Sequence, residues 1–365
     1  MRVLFNAMQA GNQSGTGRYV EELIPHLLAL ENPPELTVWW PERAPAPSWA
    51  DRVDLVPQRR GLWNRLALER AAQRARDRFD IVHYPASIGP LDGGDNVVLT
   101  VHDCIFMRHP EWFRWERARY YRWAGLRSAR RAGRIIADSE ATAGDVAAYM
   151  GIPRDRIDVV PLAASDRFRP APVEEIAAAR ARHGLPERFV LYTGTLEPRK
   201  NLAALVRAWD AAAKDIPDAL VIAGRAGWKT SGLHEAIRAA RHRERILLTG
   251  FIPDADLPAL LSGARAFVWP SRYEGFGLPV LEAMACGAPV ITADCSSLPE
   301  VAGDAAVLVD PNDEAALSRA IRAICLDDEA RARLSVSGLR RASEFTWRRC
   351  AEQTCATYAR VIQSR

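Results

Sequence analysis

ARAFVWPSRYEGFGLPVLEAMACGAPVITAD, residues 264–294, reads as a strand, a glycine-bearing turn, a helix and a second strand. ARAFVWPS and PVITAD are short runs of apolar, β-branched and aromatic residues, the composition of buried strands. Between them, Pro279 stands where a first helical position is expected, since its fixed φ suits that place and its missing N–H costs nothing there. The turn, residues 272–278, holds Gly275 and Gly277.

The same alternation runs outward in both directions. MRVLFNA, ELTVWW, VDLVP, DIVHYP, VVLTVHD, RIIADS and IDVVPL are the strand candidates of the first half; FVLYTGT, ALVIAGR, RILLTG, ARAFVWPS, PVITAD and AAVLVDP are those of the second. Amphipathic stretches such as 17–30, 202–213 and 256–261 lie between them. Strands alternating with helices predict doubly wound α/β sheets covered on both faces. A chain of 365 residues exceeds one ordinary core and fits two such domains. The alternation pauses at 166–188, which carries three prolines and an Ala/Arg/Glu-rich piece. We therefore expect a first domain over 1–168, a linker over 169–187 and a second domain over 188–345. The mostly helical end is expected to return over 346–365 to the first domain.

Composition is that of a soluble globular protein, with 48% apolar and 26% charged residues. No apolar run reaches a membrane-spanning length and no secretory leader is seen, so a cytoplasmic location is expected. The six cysteines lack C-x-x-C spacing, which favours reduced, buried thiols over disulfides or a metal site. Net charge is +4, but it is unevenly spread. Residues 112–134 hold eight arginines, one acid and six aromatics, and residues 59–78 hold seven arginines. Such segments fit an anionic membrane surface, with aromatic rings at headgroup level, or a solvated face over a core stripe. Nucleic acid is not an expected partner.

In open parallel sheets, ligands sit beyond the carboxyl ends of the strands. Glu274 lies in such a loop, and Glu282 in the first turn of the following helix or just after it. The glycines let backbone approach a ligand closely, and the helix start offers N–H groups suited to a phosphate or pyrophosphate. Acids that merely complement the helix dipole would contribute about 0.3 to 1 kcal/mol; a loop acid, two glycines, a proline and a second acid together point to a ligand site. Arg199 and Lys200 follow FVLYTGT, so two cations project from a strand end, where preorganised charge can be aimed at a developing negative charge. His102 and Asp103 end VVLTVHD, and an imidazole there can polarise a hydroxyl, although a lone histidine is more often structural. Gly15-Thr16-Gly17-Arg18 is no dinucleotide fingerprint, because Val20 holds the third glycine position and the glycines come well after the first strand; it is expected as a loop lining the ligand cleft, with Asp103. This counts against a nicotinamide-dependent oxidoreductase. Asp254 and Asp256 form a D-x-D pair at a predicted helix start, where an acid caps more readily than it binds metal. No metal site and no cofactor are expected.

Residues 270–311, together with YTGTLEPRKNL (192–202), LTGFIPDADLPALLSGA (248–264), SGTGRYVEEL (14–23) and TVHDCIFMRHPEWF (100–113), resemble retaining glycosyltransferases of family 4, which have the GT-B fold and an E-x7-E motif. The resemblance spans nearly the whole chain. It implies two Rossmann-like domains facing a cleft, the first binding acceptor and the second the nucleotide sugar. It also implies that Glu274 contacts donor-sugar hydroxyls, that Glu282 binds ribose and that the backbone of Phe276, Gly277 and Leu278 faces sugar and phosphates. Gly194, Thr195, Phe251 and Ile252 fall with the donor and His102 with the active site. Some members carry an arginine where this sequence has Thr195. The form G-T-x-E-P-R-K-N resembles mannosyltransferases of bacterial surface polysaccharides. The expected substrates are GDP-mannose, with a UDP-hexose as the alternative, and a glycan or lipid-pyrophosphate-linked acceptor. A silent nucleotide-sugar-binding protein is the rival of another class.

Overall fold

The structure is a computed structural model and describes residues 1–12, 15–42, 44–58 and 78–365. Most of the arginine-rich segment 59–78 lies outside the described residues. The chain divides into two compact units, residues 1–162 with 346–365 and residues 163–345.

The first unit is built on seven parallel strands: β1 (Arg2–Asn6), β2 (Glu35–Pro41), β3 (Asp54–Gln58), β4 (Ile81–Tyr84), β5 (Gly94–Val101), β6 (Ala132–Ala137) and β7 (Ile157–Val159). Their order is β3-β2-β1-β4-β5-β6-β7. The second unit has six parallel strands: β8 (Phe189–Thr193), β9 (Ala219–Ala223), β10 (Ile246–Gly250), β11 (Ala266–Trp269), β12 (Val290–Ala293) and β13 (Val307–Val309), in the order β10-β9-β8-β11-β12-β13. Parallel strands need crossover connections, and helices packed on both faces exclude water from β4, β9, β11 and β12, whose residues are all buried. That is why these strands read as unbroken apolar runs rather than as alternating ones.

Each sheet reverses its winding once, between β1 and β4 and between β8 and β11. Such switch points open a crevice at the strand ends, because the loops on either side turn away from each other. In the second unit the crevice is bordered by residues 194–201 after β8 and 270–277 after β11, the two loops that carry Arg199, Lys200 and Glu274.

The last helix, Trp347–Gln363, belongs to the first unit. It starts on a Thr346 hydroxyl that accepts from the Arg349 N–H, and it buries Trp347, Cys350, Tyr358 and Val361. The Tyr358 hydroxyl lies 2.7 Å from Nδ1 of buried His83 on β4, whose Nε2 lies 2.8 Å from Thr100 Oγ1 on β5. Burial, then the nearby charge of His102, push His83 down to about 3. It is a neutral imidazole within a polar core network. Segment 169–187 is folded into the second unit, with a helix at Val173–Arg182 and the Ala171 N–H donating to Ser262. No helix among the described residues is long and apolar enough to cross a membrane.

Candidate active site

Two of the residues that the sequence singles out in the second unit, Arg199 and Lys200, converge on the carboxylate of a third, Glu274. Glu274 is buried; Lys200 Nζ lies 2.5 Å from its Oε1, and Arg199 Nη1 contacts its Oε2. Burial alone would raise this carboxyl, but the charges of Arg199 and Lys200 prevail and hold it down at about 2. Lys200 is buried too and sits 4.1 Å from the centre of the Trp269 ring, which in turn stacks on Tyr192. Burial and then the Arg199 charge lower Lys200 to about 8 against the pull of Glu274. At neutral pH the site is therefore two cations around one carboxylate.

Backbone hydrogen bonds hold the two loops together. The Arg272 N–H donates to the Arg199 carbonyl at 2.8 Å. Ser271, Ser296 and Ser297 complete the frame: the Glu274 N–H donates to Ser296 Oγ at 3.0 Å, and Ser297 Oγ lies 3.0 Å from the Glu274 carbonyl and 2.7 Å from that of Phe276. Glu197 also pairs with Arg199. The sequence reading missed Glu197 and the serines. Their signal was position, since Ser296 and Ser297 directly follow the strand-end run PVITADC.

The helix after this loop is Leu278–Ala285, with Pro279 in its first two positions. Gly277 precedes it at φ 114° without a side-chain cap, and a Cβ there would come 2.9 Å from Leu298 Cδ2. Only glycine fits this conformation and contact. Pro279 carries no N–H, and those of Val280 and Leu281 donate to the Gly277 carbonyl at 2.9 and 3.3 Å; the helix start has no side-chain cap, and its positive end adjoins Glu274. Glu282 lies within the helix and is 5% exposed, an unusually deep site for a carboxylate. Phe276 is buried against Phe345. Gly194 directly follows β8 and Thr195 is exposed. Ile252 is buried, whereas Phe251 is exposed and lies under the Arg225 guanidinium, 4.4 Å from its ring centre.

In the first unit, His102 stands just beyond β5. Its Nδ1 donates to Asp138 at 2.7 Å and its Nε2 to the Pro85 carbonyl at 3.2 Å. The carboxylate and the carbonyl are both acceptors, so this geometry favours the doubly protonated ring. Burial pulls the imidazole down, but Asp138 and the Pro85 carbonyl outweigh it and raise the pKa above the ordinary value. Asp138, at the end of β6, is another residue that the sequence reading missed; its Oδ1 is buried without a partner among the described residues. Asp103 accepts from the Ile105 N–H and fixes the turn that follows.

Two expectations need correction. Gly15, Thr16, Gly17 and Arg18 are not a loop before a helix; they form the first turn of Gly15–Leu28 itself. The chain doubles back so closely that a Cβ on Gly17 would lie 2.1 Å from the Asn12 carbonyl oxygen, which explains a glycine inside this helix. Asp256 occupies the N-cap position of Leu257–Gly263 but makes no cap bond. Its carboxylate pairs instead with Arg182 at 2.6 Å and His183 at 2.8 Å, stronger partners than a neutral backbone N–H. Asp254 pairs with Arg167.

Comparison with known proteins follows the same division. Residues 13–168 match "Glycosyltransferase Family 4" and residues 175–341 match "Glycosyl transferases group 1". An Escherichia coli protein named O-antigen chain mannosyltransferase B is 34% identical over 79% of this chain and 77% of its own length. The chain belongs to glycosyltransferase family 4. The longer mannosyltransferase WbdA of Escherichia coli is 30% identical to this glycosyltransferase over 81% of the chain, but over 39% of WbdA itself. Among solved structures, a sucrose-phosphate synthase from Thermosynechococcus elongatus aligns over 100% of both chains with a TM-score of 0.78 at 20% identity. Anabaena HepE, solved with UDP and glucose, aligns over 98% of this chain and 99% of its own, with a TM-score of 0.77 at 20% identity. At such identities the likeness concerns fold, and it makes this glycosyltransferase a GT-B protein with two Rossmann-like units.

Proposed function

We propose that this glycosyltransferase moves mannose from GDP-mannose to a hydroxyl of a glycan or lipid-linked acceptor in surface polysaccharide synthesis, with retention and without a divalent cation. The observation that carries the reading is the ionised, buried Glu274 between Arg199 and Lys200. An ionised carboxylate offers about four acceptor sites, so two cations leave room for donor-sugar hydroxyls. The remaining donors of Lys200 and Arg199, with the uncapped helix start at Gly277, suit the diphosphate that departs as the sugar bond breaks. Glu282 takes the ribose in this reading. The mannosyltransferases among the relatives favour mannose as the sugar; HepE, solved with UDP-glucose, keeps a UDP-hexose as the alternative.

On the acceptor side, His102 is a cationic donor held in place by Asp138. The helix Trp115–Arg131 leaves Trp115 and Trp123 exposed, with Arg119 between them on one helical stripe. This pattern suits contact with an anionic lipid surface and so favours a lipid-linked acceptor.

Purified protein incubated with GDP-mannose and a polyprenyl-pyrophosphate glycan in excess chelator is expected to release GDP and extend the glycan with the anomeric configuration of the donor kept. Faster release of UDP from a UDP-hexose would replace the sugar, loss of turnover on chelation would remove the metal-independent mechanism, and binding with no turnover would favour the silent rival.

A further inference from the structure

The Lys200 ammonium has one hydrogen bond among the described residues, to Glu274 Oε1 at 2.5 Å, and it shares that carboxylate with Arg199. It also lies over the Trp269 ring, 4.1 Å from the centre. Of the aromatic side chains, tryptophan offers a cation the best face, and the attraction grows where water is excluded. Water is excluded here, since Lys200 and Trp269 are 5% and 1% exposed.

The ring is firmly held. Trp269 is the last residue of β11 and stacks on Tyr192 of β8 at 5.1 Å and 12°, and on Phe267 at 5.9 Å and 17°. A Cβ on Gly194 would lie 3.1 Å from Trp269 Cη2 and 3.0 Å from the Tyr192 hydroxyl, so the backbone after β8 packs directly against the pair. The indole N–H, in contrast, is buried with no hydrogen-bond partner among the described residues. An orphaned buried donor costs stability, and a phenyl ring would fill this strand end without one. What the indole adds is the stronger π face, and Lys200 sits over that face.

We propose that Trp269 is a positioning residue of the transfer reaction: its indole face seats the Lys200 ammonium beside Glu274 and leaves the remaining ammonium N–H groups for the departing diphosphate. The destination of those donors rests on the leaving-group role proposed for Lys200; the seat rests on the ring. The charged groups around Lys200 are Arg199, Glu197 and Glu274, and the phenol of Tyr192 is kept protonated by its burial. Burial and then the Arg199 charge draw Lys200 down to about 8, against the two carboxylates. The π face acts on the side of the carboxylates, so without it Lys200 gives up its proton at lower pH.

The chain has three lysines, Lys200, Lys214 and Lys229, so nuclear magnetic resonance of protein carrying carbon-13 at lysine Cε shows three methylene signals, and Lys200→Arg identifies the one from Lys200. In the wild type that signal is expected upfield of the other two, because it lies over an aromatic face, and to titrate near pH 8. Trp269→Leu is expected to abolish the upfield displacement and to lower the titration midpoint by about one pH unit; Trp269→Phe, which keeps a weaker face, should fall between. The loss of turnover with GDP-mannose in Trp269→Leu should then deepen about fivefold between about pH 6 and 8, the ratio of the two charged fractions. A merely structural defect would lower the rate equally at both. The proposal is overturned if the wild-type Lys200 signal is not displaced upfield, or if its midpoint stays or rises in both variants. Should Trp269→Leu not fold, the wild-type signal and Trp269→Phe decide alone. A midpoint that moves with the ring while turnover has no alkaline limb upholds the seat and overturns the leaving-group role of Lys200, so the two failures are distinct.

Discussion

The two units bury charge at their strand ends in opposite ways. In the second, an acid is enclosed by two cations and stays ionised down to about pH 2. In the first, a cationic imidazole is held by one carboxylate and one carbonyl, with a pKa raised from a value that already lies near neutrality. The carboxylate of the second unit keeps its charge across the physiological range and Lys200 gives up its own as pH rises through about 8; the imidazole of the first unit holds its proton to higher pH than a free one. In the proposed reaction the departing diphosphate draws on the positive charge of Arg199 and Lys200, whereas the His102 imidazolium is a separate charge that a proton can add or remove.

The largest expected effect comes from removing the carboxylate of the second unit. Glu274→Ala leaves the buried Lys200 without its carboxylate and the half-buried Arg199 with Glu197 alone, which is expected to cost about 3 to 5 kcal/mol of stability. We expect turnover to fall about 10²-fold or more, with nucleotide affinity less affected. Glu282→Ala is expected to do the reverse, weakening nucleotide binding itself. Urea unfolding, calorimetric titration with nucleotide and initial rates read the three quantities separately. Small and equal effects of both changes would dissolve the division of roles.

A smaller, more specific effect tests whether Lys200 acts through its charge. Its pKa of about 8 means that raising pH through that value removes a cation from the leaving-group side, so the rate should fall on the alkaline limb. Lys200→Arg keeps the charge to far higher pH. The variant is expected to run at a reduced but flat rate between about pH 7 and 10, across the value of about 8 at which Lys200 loses its charge. An unshifted alkaline limb in that variant would place the titration elsewhere.

How much of this was legible in the sequence follows from range. Glu274, Gly277, Pro279, Arg199 and Lys200 each stand directly after a strand or at a helix start, and local pattern finds such positions. That Arg199 reaches Glu274 across 75 positions is a property of the switch point between β8 and β11, which periodicity in one chain does not encode. Asp138 went unseen because RIIADS reads as strand to its end, and nothing nearby says that its last acid turns toward a histidine 36 positions away. The glycines at 15 and 17 misled in the other direction. Glycine is costly inside a helix, so the pair reads as loop until the close approach of the Asn12 carbonyl is known.

The smallest expected effect probes that unseen carboxylate. The raised pKa of His102 means its imidazolium stabilises the fold fully below its unfolded value of about 6.5, and this contribution is lost as pH rises through the higher folded value. Asp138→Asn removes the opposing charge and leaves burial, the largest cause, pulling His102 down against only the Pro85 carbonyl and the Asp103 charge. The folded pKa should then fall below the unfolded one, so this residue's contribution should instead grow as pH rises through about 6.5. Near that pH, wild-type stability should decline relative to the variant by about 1.4 kcal/mol for each unit by which the two folded pKa values differ. Urea midpoints at acid and alkaline pH read the difference, and parallel curves for the two proteins would show that Asp138 does not set the charge of His102. Asp138→Glu is expected to restore the wild-type direction, since it returns the carboxylate at some cost in packing; a purely steric role for Asp138 would leave both variants alike.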